Sequence, residues 1–267
     1  MNIHLDPLKR RAFLVAAGTA LFGLGVPVLA ADEPPIAAAA DLNAALPEVA
    51  ALFTKQTGKK VKLTFGSSGN FAQQILNGAP FEVYLSADEA YVAKLAAAGK
   101  TDGAGTLYAT GRIGLFLAGA SPIRADAELR DLRAAIKDGR LQKFAIANPE
   151  HAPYGRAAQE ALTHAKLWKA INPKLVLGEN VAQATQFATS GSAQGGIIPL
   201  SLALTPQVKA AGTFVLIPAN WHKPLRQRAV VVRGADDTAR AFYAFIQTPP
   251  ARIILKRFGF VVPAKAS

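Results

Sequence analysis

From Ile36 to Phe258, short strand-like runs alternate with helix-like runs almost without a break. No other feature narrows the fold as much, because elements alternating in this way form parallel sheets covered by helices. Strands are expected at Ile36–Ala40, Lys60–Phe65, Glu82–Leu85, Arg112–Leu117, Lys143–Ala147, Gly196–Ile198, Phe214–Ile217 and Arg228–Val232. Between them, helical periodicity runs over Leu42–Thr57, Phe71–Asn77, Glu89–Ala98, Glu128–Lys137, Gly155–Ala165 and Val181–Thr189. Two more helices, Asp237–Ile246 and Ala251–Phe258, follow the last strand. So many strands overfill one sheet at 267 residues, which points to two α/β lobes, each with a mostly parallel sheet. The chain is expected to cross between lobes near Thr110–Leu115 and to return near Pro224–Val231. That assigns 31–113 plus 224–267 to one lobe and 114–223 to the other.

The first thirty residues read differently. Lys9, Arg10 and Arg11 precede an apolar run that ends in small residues at Val28-Leu29-Ala30-Ala31. This is the pattern of a secretory signal cut after Ala30 or Ala31, and Arg10-Arg11 fits a twin-arginine variant of it. The run is long enough to anchor in a membrane, but Gly18, Gly23, Gly25 and Pro27 interrupt it. Cleavage would remove Lys9, Arg10, Arg11 and Asp6, taking the formal charge from +12 to +10. The remaining basic residues are scattered. Those from Arg124 to Lys143 are interleaved with Asp126, Glu128, Asp131 and Asp138, as on a solvated face. An exported chain with this distribution is not a nucleic-acid binder, and its positive field suits an anionic ligand or surface. With no cysteine and four scattered histidines, there is no disulfide scaffold, thiol nucleophile or His-cluster metal site.

Three strand-to-helix turns are rich in small and polar residues: Ala38–Leu42, Phe65–Asn70 and Asn148–Gly155. A helix start offers unpaired backbone N–H groups and the positive end of the helix dipole, which together attract anions. Ser67 and Ser68 add hydroxyl donors, and Gly66 and Gly69 let backbone approach closely. Read singly, the Ser and Asp residues are ordinary N-caps. Three such turns in one exported α/β chain point to a ligand site.

At these residues the chain resembles the periplasmic molybdate-binding proteins of ABC importers, a group of type II periplasmic binding proteins. The resemblance rests on AAAADLNAA at 37–45, FGSSGNFAQQI at 65–75, NGAPFEVYLSAD at 77–88, NPEHAPYGRAAQEAL at 148–162 and KRFGF at 256–260. It implies two lobes joined by a two-strand hinge, with a tetrahedral oxyanion, molybdate or tungstate, clasped between them. It implies neutral donors rather than salt bridges, no cofactor and no direct protein–metal bond. It also implies a monomer in the periplasm that delivers its anion to a permease in the inner membrane. Carried over by position, Ser68 matches the hydroxyl ligand, with Ser67 beside it as a second candidate. Tyr154 and Val181 match residues whose backbone N–H groups donate. Two positions depart: Asp41 stands where relatives carry Ser or Asn, and Pro199 where some carry a Tyr.

Asp41 is the serious departure. A carboxylate about 4 Å from a unit negative charge costs about 4 kcal/mol at an effective dielectric near 20. Holding it protonated at neutral pH costs about as much, from a reference pKa near 3.9. Either Asp41 faces the ligand, which selects a monoprotonated oxyanion or a protonated Asp41, or it turns away and caps the helix over 42–57. A hydrolytic reading of Ser68, Glu150 and His151 lacks a Gly-x-Ser-x-Gly elbow, so an enzyme is not expected. A cation site at Asp41, Asp88 and Glu150 matches no metal-binding spacing.

Overall fold

The computed structural model describes residues 33–264, so the expected export signal lies outside the described residues. Beginning at β1 (Pro35–Ala39), the chain builds helix α1 (Leu46–Thr57), β2 (Lys62–Gly66), α2 (Ser68–Leu76), β3 (Val83–Ser86), α3 (Glu89–Ala97) and β4 (Thr106–Gly111). A second series follows: β5 (Ile113–Ala118), α4 (Arg130–Lys137), β6 (Phe144–Ala147), α5 (Pro153–His164), α6 (Trp168–Ile171), β7 (Leu175–Gly178) and α7 (Val181–Thr189). It continues through β8 (Gly195–Pro199), α8 (Leu200–Ala203), α9 (Pro206–Ala211) and β9 (Gly212–Leu216). The chain closes with β10 (Leu225–Val231), α10 (Asp237–Ile246) and α11 (Pro249–Arg257).

Among the described residues, ten strands divide into two five-stranded sheets of matching design, ordered β2-β1-β3-β10-β4 and β7-β6-β8-β5-β9. In the first, β1 runs parallel to β2 and β3, while β10 is antiparallel to β3 and β4. In the second, β6 runs parallel to β7 and β8, while β5 is antiparallel to β8 and β9. The sheets are therefore mixed, and the parallel character is confined to the strands joined by helical crossovers. The chain passes from the first sheet to the second through Arg112 alone and returns between Leu216 and Leu225.

Helices cover both faces of each sheet. On one face of the first, Ile36, Val83 and Leu85 pack with Leu46, Val49, Phe53 and Phe242. On the other, Ala37, Tyr84 and Val230 pack with Phe71, Ile75, Val92 and Leu95. Burial on both faces explains why β1 reads as an unbroken apolar run rather than an alternation. Ala39, Ala40 and Ala87 of the first lobe enter the main core of the second, so the lobes meet over apolar surface. No described helix is long and apolar enough to cross a membrane.

Helix α1 starts at Leu46, not Leu42. Pro47 has no N–H to donate and so has to lie in the first turn, which pushes the helix start to its doorstep. Ala40–Leu42 instead form a short 3-10 turn.

Candidate functional site

The parallel strands of both sheets point their carboxyl ends toward the junction of the lobes, where crevices of α/β sheets take ligands. A narrow cleft with only about 10 Å³ of water-accessible space lies there, lined by Ala39–Asp41, Gly66–Ser68 and Ala87 from one lobe and Ala152–Tyr154, Asn180 and Val181 from the other. None of these lining residues is Lys, Arg or His. A wider groove along Gly78, Phe81, Gly99 and Arg233 lies where α2 and α3 have ended, at the negative ends of their dipoles.

Three helices begin at the cavity, each with its first N–H groups handled in a particular way. In α7, the Asn180 side chain accepts from the N–H groups of Ala182 and Gln183 at 3.0 and 3.1 Å. In α5, the N–H groups of Gly155 and Arg156 go to the carbonyl of Ala152, and Pro153 has none to offer. In α2, the Gly69 N–H crosses to the carbonyl of His151 at 2.9 Å. Among the described residues, no acceptor is hydrogen-bonded to the N–H of Ser68, Tyr154 or Val181. These three groups remain free at the cavity, on the positive ends of three helices.

The side chains of the second turn divide their tasks. The Ser68 hydroxyl is buried and accepts from the Ala87 N–H at 3.0 Å, which leaves its own proton free to donate. The Ser67 hydroxyl donates to the His151 carbonyl at 2.7 Å and lies 2.9 Å from His151 Nδ1. Its one proton is spent on the carbonyl, so Nδ1–H is the donor in the second contact. Ser67 therefore ties the two lobes together and does not cap α2 through its side chain. At Gly69, a Cβ would sit 2.6 Å from the same carbonyl, so this approach of the lobes requires glycine.

Asp41 is fully buried in the 3-10 turn after β1. Its carboxylate caps nothing. The expectation of a cap on the helix after it fails because that helix begins at Leu46, with no side-chain cap at Ala45. Instead, Oδ2 accepts from Gln227 Nε2 at 2.5 Å and from the Tyr154 hydroxyl at 2.9 Å, and Oδ1 is buried without a partner. Burial pushes the Asp41 pKa up to about 6, against the pull of the Gln227 and Tyr154 hydrogen bonds. The same burial, beside the same carboxylate, keeps the Tyr154 phenol neutral, its pKa raised well above the ordinary value. The Tyr108 hydroxyl donates to Gln227 Oε1 at 2.7 Å, and Ser201 donates to the Asp41 carbonyl at 2.7 Å.

Of the sequence candidates, Asp41, Ser67, Ser68, Tyr154 and Val181 all line this one cavity. Pro199 ends β8, paired with Ile113, and does not line it. The hydrolytic grouping is not assembled, since His151 touches Ser67 rather than Ser68. Nor is the cation grouping, because Asp88 is engaged with Arg156 at 2.5 Å and with the Ala90 N–H at 2.9 Å. Gln227 and Tyr108 were missed by sequence reasoning. One signal for Gln227 existed: it shares a strand face with Leu225 and Ala229, while Arg226 and Arg228 take the other.

Residues 35–261 match the family model described as bacterial extracellular solute-binding protein. The chain is 39% identical to a molybdate-binding protein ModA of Rhodobacter capsulatus, over 93% of this chain and 96% of that one. It is 37% identical to a ModA of Azotobacter vinelandii, over 86% and 90% of the two chains. The solved periplasmic molybdate-binding protein of Azotobacter vinelandii superposes with a TM-score of 0.77 at 31% identity, over 86% of this chain and all of that one.

Proposed function

The chain belongs to the bacterial extracellular solute-binding proteins, among the molybdate-binding members, and from this we propose that it captures a tetrahedral oxyanion between its lobes. Molybdate and tungstate are the proposed cargo. The anion is taken up in the periplasm and handed to an ABC permease of the inner membrane. The observation that carries the reading is the cavity with three free helix-start N–H groups, the Ser68 hydroxyl proton and no cationic side chain.

Such a site suits an anion that has to be released again. Hydrogen bonds to a charged acceptor are about twice as strong as neutral ones. The backbone holds these donors in place whether or not an anion is present, so little reorganisation accompanies binding. A Lys or Arg in the same place would gain more from the anion but would be left buried without a counter-charge after release. In this reading Ser68, Tyr154 and Val181 contact the anion directly, Ser67 clasps the lobes over it, and hinge motion about Arg112 and the 217–224 return opens the cleft.

The test is calorimetric titration of the exported form with molybdate, tungstate, sulfate and phosphate. Saturable one-to-one binding of molybdate and tungstate, at least tenfold tighter than sulfate or phosphate, is expected. Absence of molybdate and tungstate binding at every pH from 5 to 8 would overturn the reading.

A further inference from the structure

Asp41 puts a carboxyl group into a cavity that otherwise offers only neutral donors, and its hydrogen bonds fix where a proton can go. Tyr108 donates to Gln227 Oε1, so Gln227 has to present its NH2 group to Asp41. The Tyr154 hydroxyl, which lies 3.0 Å from that same NH2 group, donates its single proton to Asp41 as well. Oδ2 thus receives two hydrogens from partners held in place. Oδ1 receives none, although it is buried on a residue that lines the cavity. A proton added to Asp41 has one position that disturbs no existing bond, and that position is Oδ1.

Resting on the oxyanion reading above, we propose that capture of a dianion is coupled to uptake of one proton from solvent, carried by Asp41 Oδ1. The proton converts a repelling carboxylate into a carboxylic acid whose O–H donates to the bound anion. The balance is simple: carboxylate, proton and dianion enter the site, and a neutral acid hydrogen-bonded to the dianion results. No bond of the anion is made or broken.

Burial, net of the hydrogen bonds that pull it down, already brings the Asp41 pKa to about 6, and a dianion in the cavity raises it further. The titratable groups that face Asp41 are Tyr154 from α5 and Tyr108 from β4, and burial keeps both neutral. Gln227 from β10 and Ser201 from α8 carry no charge. Among the described residues, no Lys, Arg or His forms an ion pair or hydrogen bond with Asp41 to stabilise its charged form.

The sign follows directly. Below about pH 6 the free protein already holds the proton, and affinity is independent of pH. Above it, each unit of pH lowers molybdate affinity by up to about tenfold, because a proton has to be bound with the anion. Calorimetry of the wild-type protein with molybdate at pH 8, in buffers of different ionisation enthalpy, should read close to one proton taken up per anion. In Asp41→Asn, the amide oxygen replaces Oδ2 as acceptor and the NH2 replaces the acid O–H. That variant should bind molybdate with no proton uptake, with a flat profile from pH 6 to 8, and more tightly than wild type at pH 8. Molybdate binding by the wild-type protein with no proton uptake and a flat profile would overturn the coupling and leave the oxyanion reading intact. Failure of both proteins to bind molybdate or tungstate at any pH would instead remove the oxyanion reading itself.

Discussion

The rim and the floor of the cleft join the same two lobes by opposite means. At the rim, Arg156 meets Asp88 at 2.5 Å and the Tyr91 hydroxyl at 2.8 Å, and Asn70 hydrogen-bonds to Glu179. The side chains of Arg156 and Asp88 are about a third exposed, at 34% and 30%. On the floor, Asp41 is the one formally charged side chain among the cavity lining, and it is fully buried. Water screens the rim pair, so breaking it during opening costs little. The floor has no such relief: a charge placed there has to be satisfied by protein or neutralised by a proton. Reversible contacts therefore sit where charge is cheap to expose, and the cavity lining is otherwise left to dipoles.

Asp41 is where the floor departs from that rule, and breaking it there should give the largest effect. Its folded pKa is raised from 3.8 to about 6. A raised carboxyl binds its proton more tightly in the folded state, so this contribution is fully present below about pH 4 and is lost as pH rises through about 6. The loss is on the order of 3 kcal/mol for a shift of this size. Asp131, pulled down to about 2 by Arg140, acts in the opposite sense and at lower pH. The difference between wild type and Asp41→Asn isolates Asp41 from it. Urea denaturation of the ligand-free proteins should show Asp41→Asn gaining on wild type between pH 4 and 7. Parallel stability profiles would mean that Asp41 carries no buried charge to relieve.

A smaller effect is expected at Ser68, the other side chain proposed to meet the anion. Ser68→Ala removes the one hydroxyl donor with an unspent proton and leaves the Ala87 N–H without its acceptor. Molybdate affinity should fall by about 1–3 kcal/mol, the range for a hydrogen bond to a charged group. Ser67→Ala, whose hydroxyl is committed to His151, should weaken binding less and act through closure of the lobes. A larger loss at Ser67 than at Ser68, by titration calorimetry, would exchange their roles.

How much of this was legible in the sequence depended on whether the cause was local. Helices α7 and α10 lie where periodicity placed them, because Asn180 and Asp236 cap them through their own side chains. Helices α2 and α5 start at Ser68 and Pro153, three and two residues before the expected Phe71 and Gly155, and neither has a side-chain cap to mark its start. Strand β4 was missed, since Thr106–Gly111 owes its conformation to pairing with β10, more than a hundred residues on. Strand β7, at four residues on a sheet edge, is too short to show a period. The Asp41 cap failed on a local signal that was present: Pro47 sets the start of α1. The partners of Asp41 could not be read this way, because Gln227 and Tyr108 reach it only through the register of β10 and β4.

The smallest effect belongs to the rim. A double-mutant cycle with Asp88→Asn and Arg156→Gln measures the pair itself, since Asn still accepts from the Ala90 N–H at the start of α3. A partly exposed pair of this kind should show a coupling of about 0.2–1 kcal/mol in molybdate affinity at low salt. Raising the ionic strength to about 1 M shortens the screening length to about 3 Å and should erase most of it. Binding to the floor should lose much less, because helix-start N–H groups inside a closed cavity are shielded from salt. If the Asp88–Arg156 coupling exceeded the loss in Ser68→Ala, the lobes would be held chiefly from the rim. The helix starts would then serve to choose the anion rather than to hold the cleft shut around it.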